Sequence, residues 1–258
     1  RENVYVQIPQ VNLDTVIAKN FDVHKEIDAC FKFQQDNRPE EKLFENVDQQ
    51  FKKFKVSAQK EVNYLVKEFE CRKAADSYAR ASTARTGVLD TARLHSYKFT
   101  EDLFKKVTII PDGKNHGLVF VLDWSGSMQN VLSDTCKQLF NLIWFCKKTS
   151  IPFEVYAFTN EWRRGEYDYE TGKFGPADRT PHYEKKEGLL QVEEGFSLLN
   201  LLTSKVSQSV LEHQILNIWR LASCFGNTYT CGYTHPSRLC LSGTPLNEAL
   251  ISLHQILP

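Results

Sequence analysis

The stretch GLVFVLDWSGSM, residues 117–128, is an apolar run that ends in one acid and continues into serine and glycine. Its β-branched and aromatic residues over 118–123 are typical of a strand that is covered on both faces in a parallel sheet. In an open parallel sheet, ligands gather outside the carboxyl ends of the strands, and Asp123 is at such an end. The residues that follow, from Trp124 to Ser127, therefore mark a candidate site.

Strands and helices alternate on the carboxyl side of this stretch. Hydrophobic spacing and turn residues predict a helix over 128–148, a strand over 152–159, an edge hairpin with an exposed loop over 161–192, and helices around 210–222 and after Pro245. Strands that alternate with helices indicate an α/β fold.

The amino-terminal part of the chain has a different pattern. Apolar residues at helical spacing predict an amphipathic helix over 56–78 and a second helical stretch over 89–106. The turn signal Pro-Asp-Gly at 111–113 sets the expected boundary between a mainly helical region, residues 1–110, and an α/β domain, residues 111–258.

Composition narrows the function classes. The charges of the 32 basic and 32 acidic residues cancel, which argues against nucleic-acid binding as the main function. In the aromatic-rich loop 163–179 the acidic residues also balance the basic ones. No apolar run is long enough to predict a membrane span. Seven cysteines without a Cys-x-x-Cys pair favour a reducing cytoplasm over a disulfide framework. Because the chain begins at Arg1 and its only methionine is Met128, we expect a fragment.

The Asp-x-Ser-x-Ser order places one carboxylate and two hydroxyls, those of Asp123, Ser125 and Ser127, on a single turn that Gly126 is expected to permit. These hard oxygen donors suit Mg²⁺, and Thr244 in a second Ser-Gly-Thr loop offers another hydroxyl. The alternative is structural: the serines cap the following helix and the threonine caps a later one. Spacing alone gives the two interpretations similar weight.

Two segments, VFVLDWSGSM and LSGTPLNEAL, resemble the metal-ion-dependent adhesion site of von Willebrand factor A domains. The resemblance implies a Rossmann-like, mostly parallel sheet flanked by helices, with Asp123, Ser125, Ser127 and Thr244 as Mg²⁺ ligands. The family's third loop contributes an acid after a later strand. We expect that acid to lie beyond Pro258, so that the A domain is incomplete here.

A narrower resemblance is carried by TGVLDTARLHSYKFTEDLFKK and PFEVYAFTNEWRRG. Both are similar to the CobT subunit of aerobic cobaltochelatase and its phage-type relatives. The resemblance implies a cytoplasmic Mg²⁺-dependent adaptor that is not catalytic alone. Such an adaptor would dock on a hexameric AAA+ ATPase of the MoxR or CobS kind, with the large chelatase subunit as a second partner. The complex would insert a metal ion into a corrin ring. The alternative is an adhesion or assembly module of a phage or bacterium that uses the same ion.

Other chemistries are less well supported. The sequence contains no phosphate-binding Gly-x-x-x-x-Gly-Lys-Ser, no His-Glu-x-x-His and no Gly-x-Ser-x-Gly, so we assign no catalytic residue and expect the ATPase to be another polypeptide. Cys224, Cys231, Cys240 and His235 have irregular spacing, which favours packing over zinc. Two roles are equally consistent with Trp124: it faces a partner as an anchor of the interface, or it covers the end of the sheet.

Overall fold

The computed structural model describes residues 6–79, 82–91, 94, 98–99, 104–109, 117–226 and 231–257. Within these ranges the helices are α1 (Leu13–Val16), α2 (Asn20–Asn37), α3 (Glu45–Ala79), α4 (Leu132–Lys148), α5 (Gln208–Gly226) and α6 (Leu246–Ile256). The strands are β1 (Ile17–Ala18), β2 (Ser82–Leu89), β3 (Phe104–Ile109), β4 (Leu118–Asp123), β5 (Phe153–Thr159), β6 (Tyr167–Asp168), β7 (Lys173–Phe174) and β8 (Ser197–Thr203).

The central sheet is mixed and has the strand order β1-β8-β5-β4. β4 and β5 are parallel, with Asp123 opposite Phe158, whereas β8 runs antiparallel to β5 and β1 runs parallel to β8. The carboxyl ends of β4 and β5 therefore meet at one edge of the sheet. The α/β class is confirmed, and the sheet is flanked by helices in a manner compatible with a Rossmann-like fold.

Both faces of the sheet are covered, because alternate residues of β5 belong to two different cores. Val155 and Ala157 pack in the larger core with α2, α3, α4 and α5, and Tyr156 and Phe158 pack in the smaller core with α6. β4 is less buried than the sequence predicted. It is the last strand of the described sheet, and Leu118 and Val121 are each 40% exposed.

The amino-terminal helices contribute to the same larger core. Ile27 of α2 and Val62 of α3 are fully buried within it. Phe54 of α3 stacks on Trp219 of α5 with ring centroids 5.3 Å apart, and Phe51 contacts the same indole. The predicted helix over 56–78 is confirmed and is longer than expected, since α3 begins at Glu45. The described residues contain no helix that combines the length and the apolar character needed to cross a membrane.

The helix predicted over 89–106 is wrong where the structure describes it. Residues 82–89 and 104–109 form the antiparallel pair β2–β3, in which Thr83 lies opposite Thr108 and Ala84 opposite Val107. β-branched residues favour β-strands. The pairing of the two strands therefore decides the structure here, against the helical spacing of the leucines. The rest of the predicted helix lies largely outside the described residues.

On the carboxyl side most predictions are confirmed. The strand over 152–159, the helix over 128–148 and the helix around 210–222 correspond to β5, α4 and α5. The buried stripe of α4 contains Leu132, Cys136, Leu139, Phe140, Ile143 and Cys146, whereas Val131 precedes the helix and is 49% exposed. The hairpin expected within 161–192 is β6–β7, which forms a sheet of its own rather than an edge of the main one.

Candidate metal centre

The loop after β4 gathers three oxygen-bearing side chains on one turn. The backbone N–H of Ser125 donates to Asp123 Oδ1 at 3.0 Å, which fixes the carboxylate against the turn. The hydroxyl oxygens of Ser125 and Ser127 lie 2.9 Å apart. A short 3₁₀ turn, Gly126–Met128, carries the chain from this loop towards α4. We call residues 123–127 the first loop.

The second loop, residues 242–244, lies directly beside the first. Ser242 forms a parallel β-bridge with Ser125. The backbone N–H of Gly126 donates to the Ser242 carbonyl at 2.8 Å, and the Ser242 N–H donates to the Trp124 carbonyl at 3.4 Å. Thr244 follows two residues later and is exposed. The structure thus brings together the two loops that the sequence motif requires.

Helix capping does not account for the hydroxyls of these loops. α4 has Val131 at its N-cap, and α6 has Pro245 there, in both cases without a side-chain cap hydrogen bond. Ser125 precedes the 3₁₀ turn but also makes no side-chain cap bond. The capping interpretation of Ser125, Ser127 and Thr244 is therefore wrong, and the hydroxyls remain available as oxygen ligands.

We expected the bend of the first loop to depend on Gly126, but its backbone conformation does not require glycine. It does not have a positive φ, and a Cβ built on it would lie 3.7 Å from the Ser242 carbonyl oxygen, an ordinary contact. Gly243 is the more restricted position, because a Cβ there would come within 3.0 Å of Asn160 Nδ2. The glycine with the tighter surroundings is thus in the second loop rather than the first.

Sequence reasoning missed two residues beside the second loop, Asn160 and Glu161. Both follow β5, whose carboxyl end lies next to that of β4. The Ser242 hydroxyl donates to Glu161 Oε1 at 2.7 Å, and Asn160 Oδ1 is buried without a hydrogen-bond partner among the described residues. The signal was present in the sequence: the rule that draws attention to the end of β4 applies equally to the parallel strand β5.

The donor set fits a hard cation. Among the described residues no three His, Cys, Asp or Glu side chains come together, so an ion at this edge would depend on one carboxylate, hydroxyl oxygens and water. Mg²⁺ takes oxygen ligands in this way and retains part of its water shell. The unpartnered Asn160 Oδ1, near Gly243, adds a neutral oxygen that has no other described partner. Asp123, Ser125, Ser127 and Thr244 are thus the residues that would hold Mg²⁺.

Trp124 supports the first loop from inside the protein. Its side chain is fully buried, and its Nε1–H donates to the Leu239 carbonyl at 2.9 Å. The ring meets Phe225 of α5 edge-on, with centroids 5.8 Å apart. Trp124 therefore covers the sheet end, and the interpretation as a partner-facing anchor is wrong.

The three cysteines considered as zinc ligands each lie close to another sulfur or to a histidine. Cys224 Sγ and Cys231 Sγ are 3.4 Å apart, while Cys240 Sγ lies 3.8 Å from His235 Nδ1. Burial raises the pKa of the Cys224 thiol, which disfavours the thiolate that zinc requires. His235 packs against Phe225 with ring centroids 4.5 Å apart. This geometry agrees with the packing interpretation of these residues.

No family model, curated protein or solved structure matches this chain.

Proposed function

We propose that this chain is a non-catalytic adaptor that uses one Mg²⁺ ion to bind an acidic side chain of a partner protein. The observation that carries the proposal is the bridge between Ser125 and Ser242, since it joins the two loops at the carboxyl edge of the sheet. Asp123 would neutralise one of the two charges of the ion, and Ser125, Ser127 and Thr244 would add neutral oxygens.

The charge balance gives the site its chemistry. A divalent cation held by a single carboxylate and neutral hydroxyls keeps positive charge and completes its coordination with water or an outside ligand. Thr244 and Ser127 are exposed, so that this edge of the sheet is open to a partner. A carboxylate of the partner would replace a water, and the bound ion would supply the attraction.

The identity of the partner is proposed from the resemblance. A von Willebrand factor A domain with the motifs of the CobT subunit would dock on an AAA+ ATPase of the MoxR or CobS kind, with the large chelatase subunit as a second partner, and would serve metal insertion into a corrin ring. The architecture of the described sheet supports this proposal. Its parallel pair β4–β5 places the first loop at the carboxyl edge, where ligands bind in open α/β sheets.

The proposal is tested by co-purification from the source cell with mass spectrometry, in Mg²⁺ and in EDTA. We expect the wild-type protein to retain an AAA+ ATPase in Mg²⁺, to release it in EDTA, and to fail to bind it as D123A. D134A is the matched control, because Asp134 is an exposed acid at the start of α4 that pairs only with Lys137 at 2.7 Å among the described residues.

Two results contradict the proposal in different ways. Binding of the ATPase by D123A, or in EDTA, removes the role of the metal ion. Metal-dependent binding of a protein other than an ATPase, sensitive to D123A, removes the chelatase role and supports the adhesion or assembly function instead.

A further inference from the structure

The turn after β5 contacts the second loop at two consecutive residues, Ser242 and Gly243. Ser242 donates its hydroxyl proton to Glu161 Oε1 at 2.7 Å. A Cβ on Gly243 would lie 3.0 Å from Asn160 Nδ2, so the second loop packs closely against the Asn160 side chain. The turn itself is held by the Glu161 N–H, which donates to Thr159 Oγ1 at 3.1 Å. The position of the second loop is thus set by β5 as well as by the first loop.

Glu161 is unusual because its carboxylate is buried. The residue is 3% exposed, and a buried charge is costly unless it is paired and hydrogen-bonded. Glu161 Oε2 accepts from Arg164, whose guanidinium lies 2.6 Å away and is mostly exposed, and Oε1 accepts from Ser242. An amide or an apolar residue would fill this space without the cost of desolvating a charge. The charge itself therefore calls for an explanation.

The bond from Ser242 has a direction that matters for a cation. Because the Ser242 hydroxyl gives its proton to Glu161, the lone pairs of its oxygen stay free to face another positive charge. The backbone of Ser242 is already fixed to the first loop through Gly126 and Trp124. Carboxylates that accept a hydrogen bond from a metal-binding group orient that group and increase its basicity.

We propose that Glu161 is a positioning residue of the metal centre. It acts through Ser242 and holds the second loop beside the first, with its carboxylate hydrogen-bonded behind Ser242 rather than on the ion. This inference rests on the proposed Mg²⁺ site, and it adds a residue that the metal-binding motif does not contain.

The test measures Mn²⁺ binding by electron paramagnetic resonance, with Mg²⁺ competition, on the whole purified chain. E161Q keeps an oxygen that accepts from Ser242 and removes the charge. We expect the affinity for Mn²⁺ to fall about tenfold, the lower end of the usual effect of losing such a carboxylate. S242A, which removes the donor instead, is expected to weaken binding in the same direction, and the double variant is expected to lose less than the product of the two effects because both changes break one interaction.

Glu154 provides the matched control. It lies at the amino end of the same strand, accepts from Thr203 Oγ1 at 3.0 Å and from Asn200 at 2.9 Å, and pairs with Lys205 at 2.9 Å. E154Q therefore breaks a comparable charged network on β5, away from the second loop. We expect E154Q to bind Mn²⁺ as the wild-type protein does, whatever its effect on the thermal midpoint of unfolding.

The outcomes separate this inference from the function on which it rests. If the wild-type protein binds one Mn²⁺ and E161Q binds it with equal affinity, Glu161 has no positioning role although the metal centre stands. If the wild-type protein binds none, the metal centre itself is refuted. Should E161Q fail to fold, S242A decides the matter, because wild-type affinity in S242A overturns the proposal and a fall in affinity supports it.

Discussion

Acidification is expected to destabilise the fold through His24, a buried histidine of α2. His24 Nε2 lies 2.7 Å from the Leu201 carbonyl oxygen, which only accepts, so Nε2 carries the proton of the neutral ring. His24 Nδ1 is buried without a partner among the described residues. Burial lowers the pKa of His24 from its ordinary 6.5 to about 4, because a second proton would place a charge where no acceptor faces it.

The size of the effect follows from proton linkage. Between pH 6.5 and about 4 the unfolded chain holds a proton on His24 that the folded chain excludes, so the free energy of unfolding falls as the pH falls. A difference of one pKa unit corresponds to about 1.4 kcal/mol. These values predict a loss of about 2 kcal/mol from His24 between roughly pH 7 and pH 5.

Urea unfolding of the wild-type protein and of H24Q over this pH range provides the assay. Glutamine keeps an N–H donor for the Leu201 carbonyl and does not titrate here. We expect H24Q to lose about 2 kcal/mol less than the wild-type protein on acidification. Some pH dependence should remain, since burial and the nearby Arg163 also lower the pKa of His182. If H24Q loses stability as steeply as the wild-type protein, the assignment to His24 is refuted.

Two further predictions concern the loops. W124A should lower the free energy of unfolding by about 3–5 kcal/mol, the usual cost of truncating a fully buried aromatic residue, and chemical denaturation checks it; a change below about 1 kcal/mol would contradict the buried position of this indole. G126A should retain wild-type Mn²⁺ affinity because its Cβ makes an ordinary contact at 3.7 Å, whereas G243A should weaken it because its Cβ lies 3.0 Å from Asn160 Nδ2. Equal affinities in the two alanine variants would contradict the tight packing of Gly243 against Asn160.

Local patterns were sufficient for the elements whose signals lie close together in sequence. The helical stripe of α4 and the apolar run of β5 are each buried as their spacing predicts. β8 was missed because a leucine-rich run suits a helix as well as a strand, and only antiparallel pairing with β5 decides between them. The antiparallel pair β2–β3 was not predicted for the same reason, because the pattern of a single segment does not contain the contacts between two strands.

In the candidate site, too, the residues that are close in sequence were predicted and those brought together by the fold were harder to find. Asp123, Ser125 and Ser127 lie within one short segment, so that their spacing alone places them on one turn. The approach of the second loop depends on a bridge between distant residues, Ser125 and Ser242. The sequence offered the hydroxyl of Thr244 as a candidate ligand, and the motif resemblance favoured its approach to the first loop. Glu161 is outside the metal-binding motif, so it could be found only by applying the strand-end rule to β5 as well, which runs parallel to β4.

The most direct test of the account is whether Thr244 lies near a cation bound at Asp123. Mn²⁺ broadens nearby nuclear resonances steeply with distance, and threonine methyl groups labelled with carbon-13 report that distance. Thr203 is the internal reference, because it pairs with Glu154 at the other end of the sheet, roughly 15 Å along the strands from the first loop. We predict that substoichiometric Mn²⁺ removes the Thr244 methyl signal, leaves that of Thr203, and has no such effect in D123A. A Thr244 signal that stays sharp while Mn²⁺ is bound would contradict the convergence of the two loops on one ion.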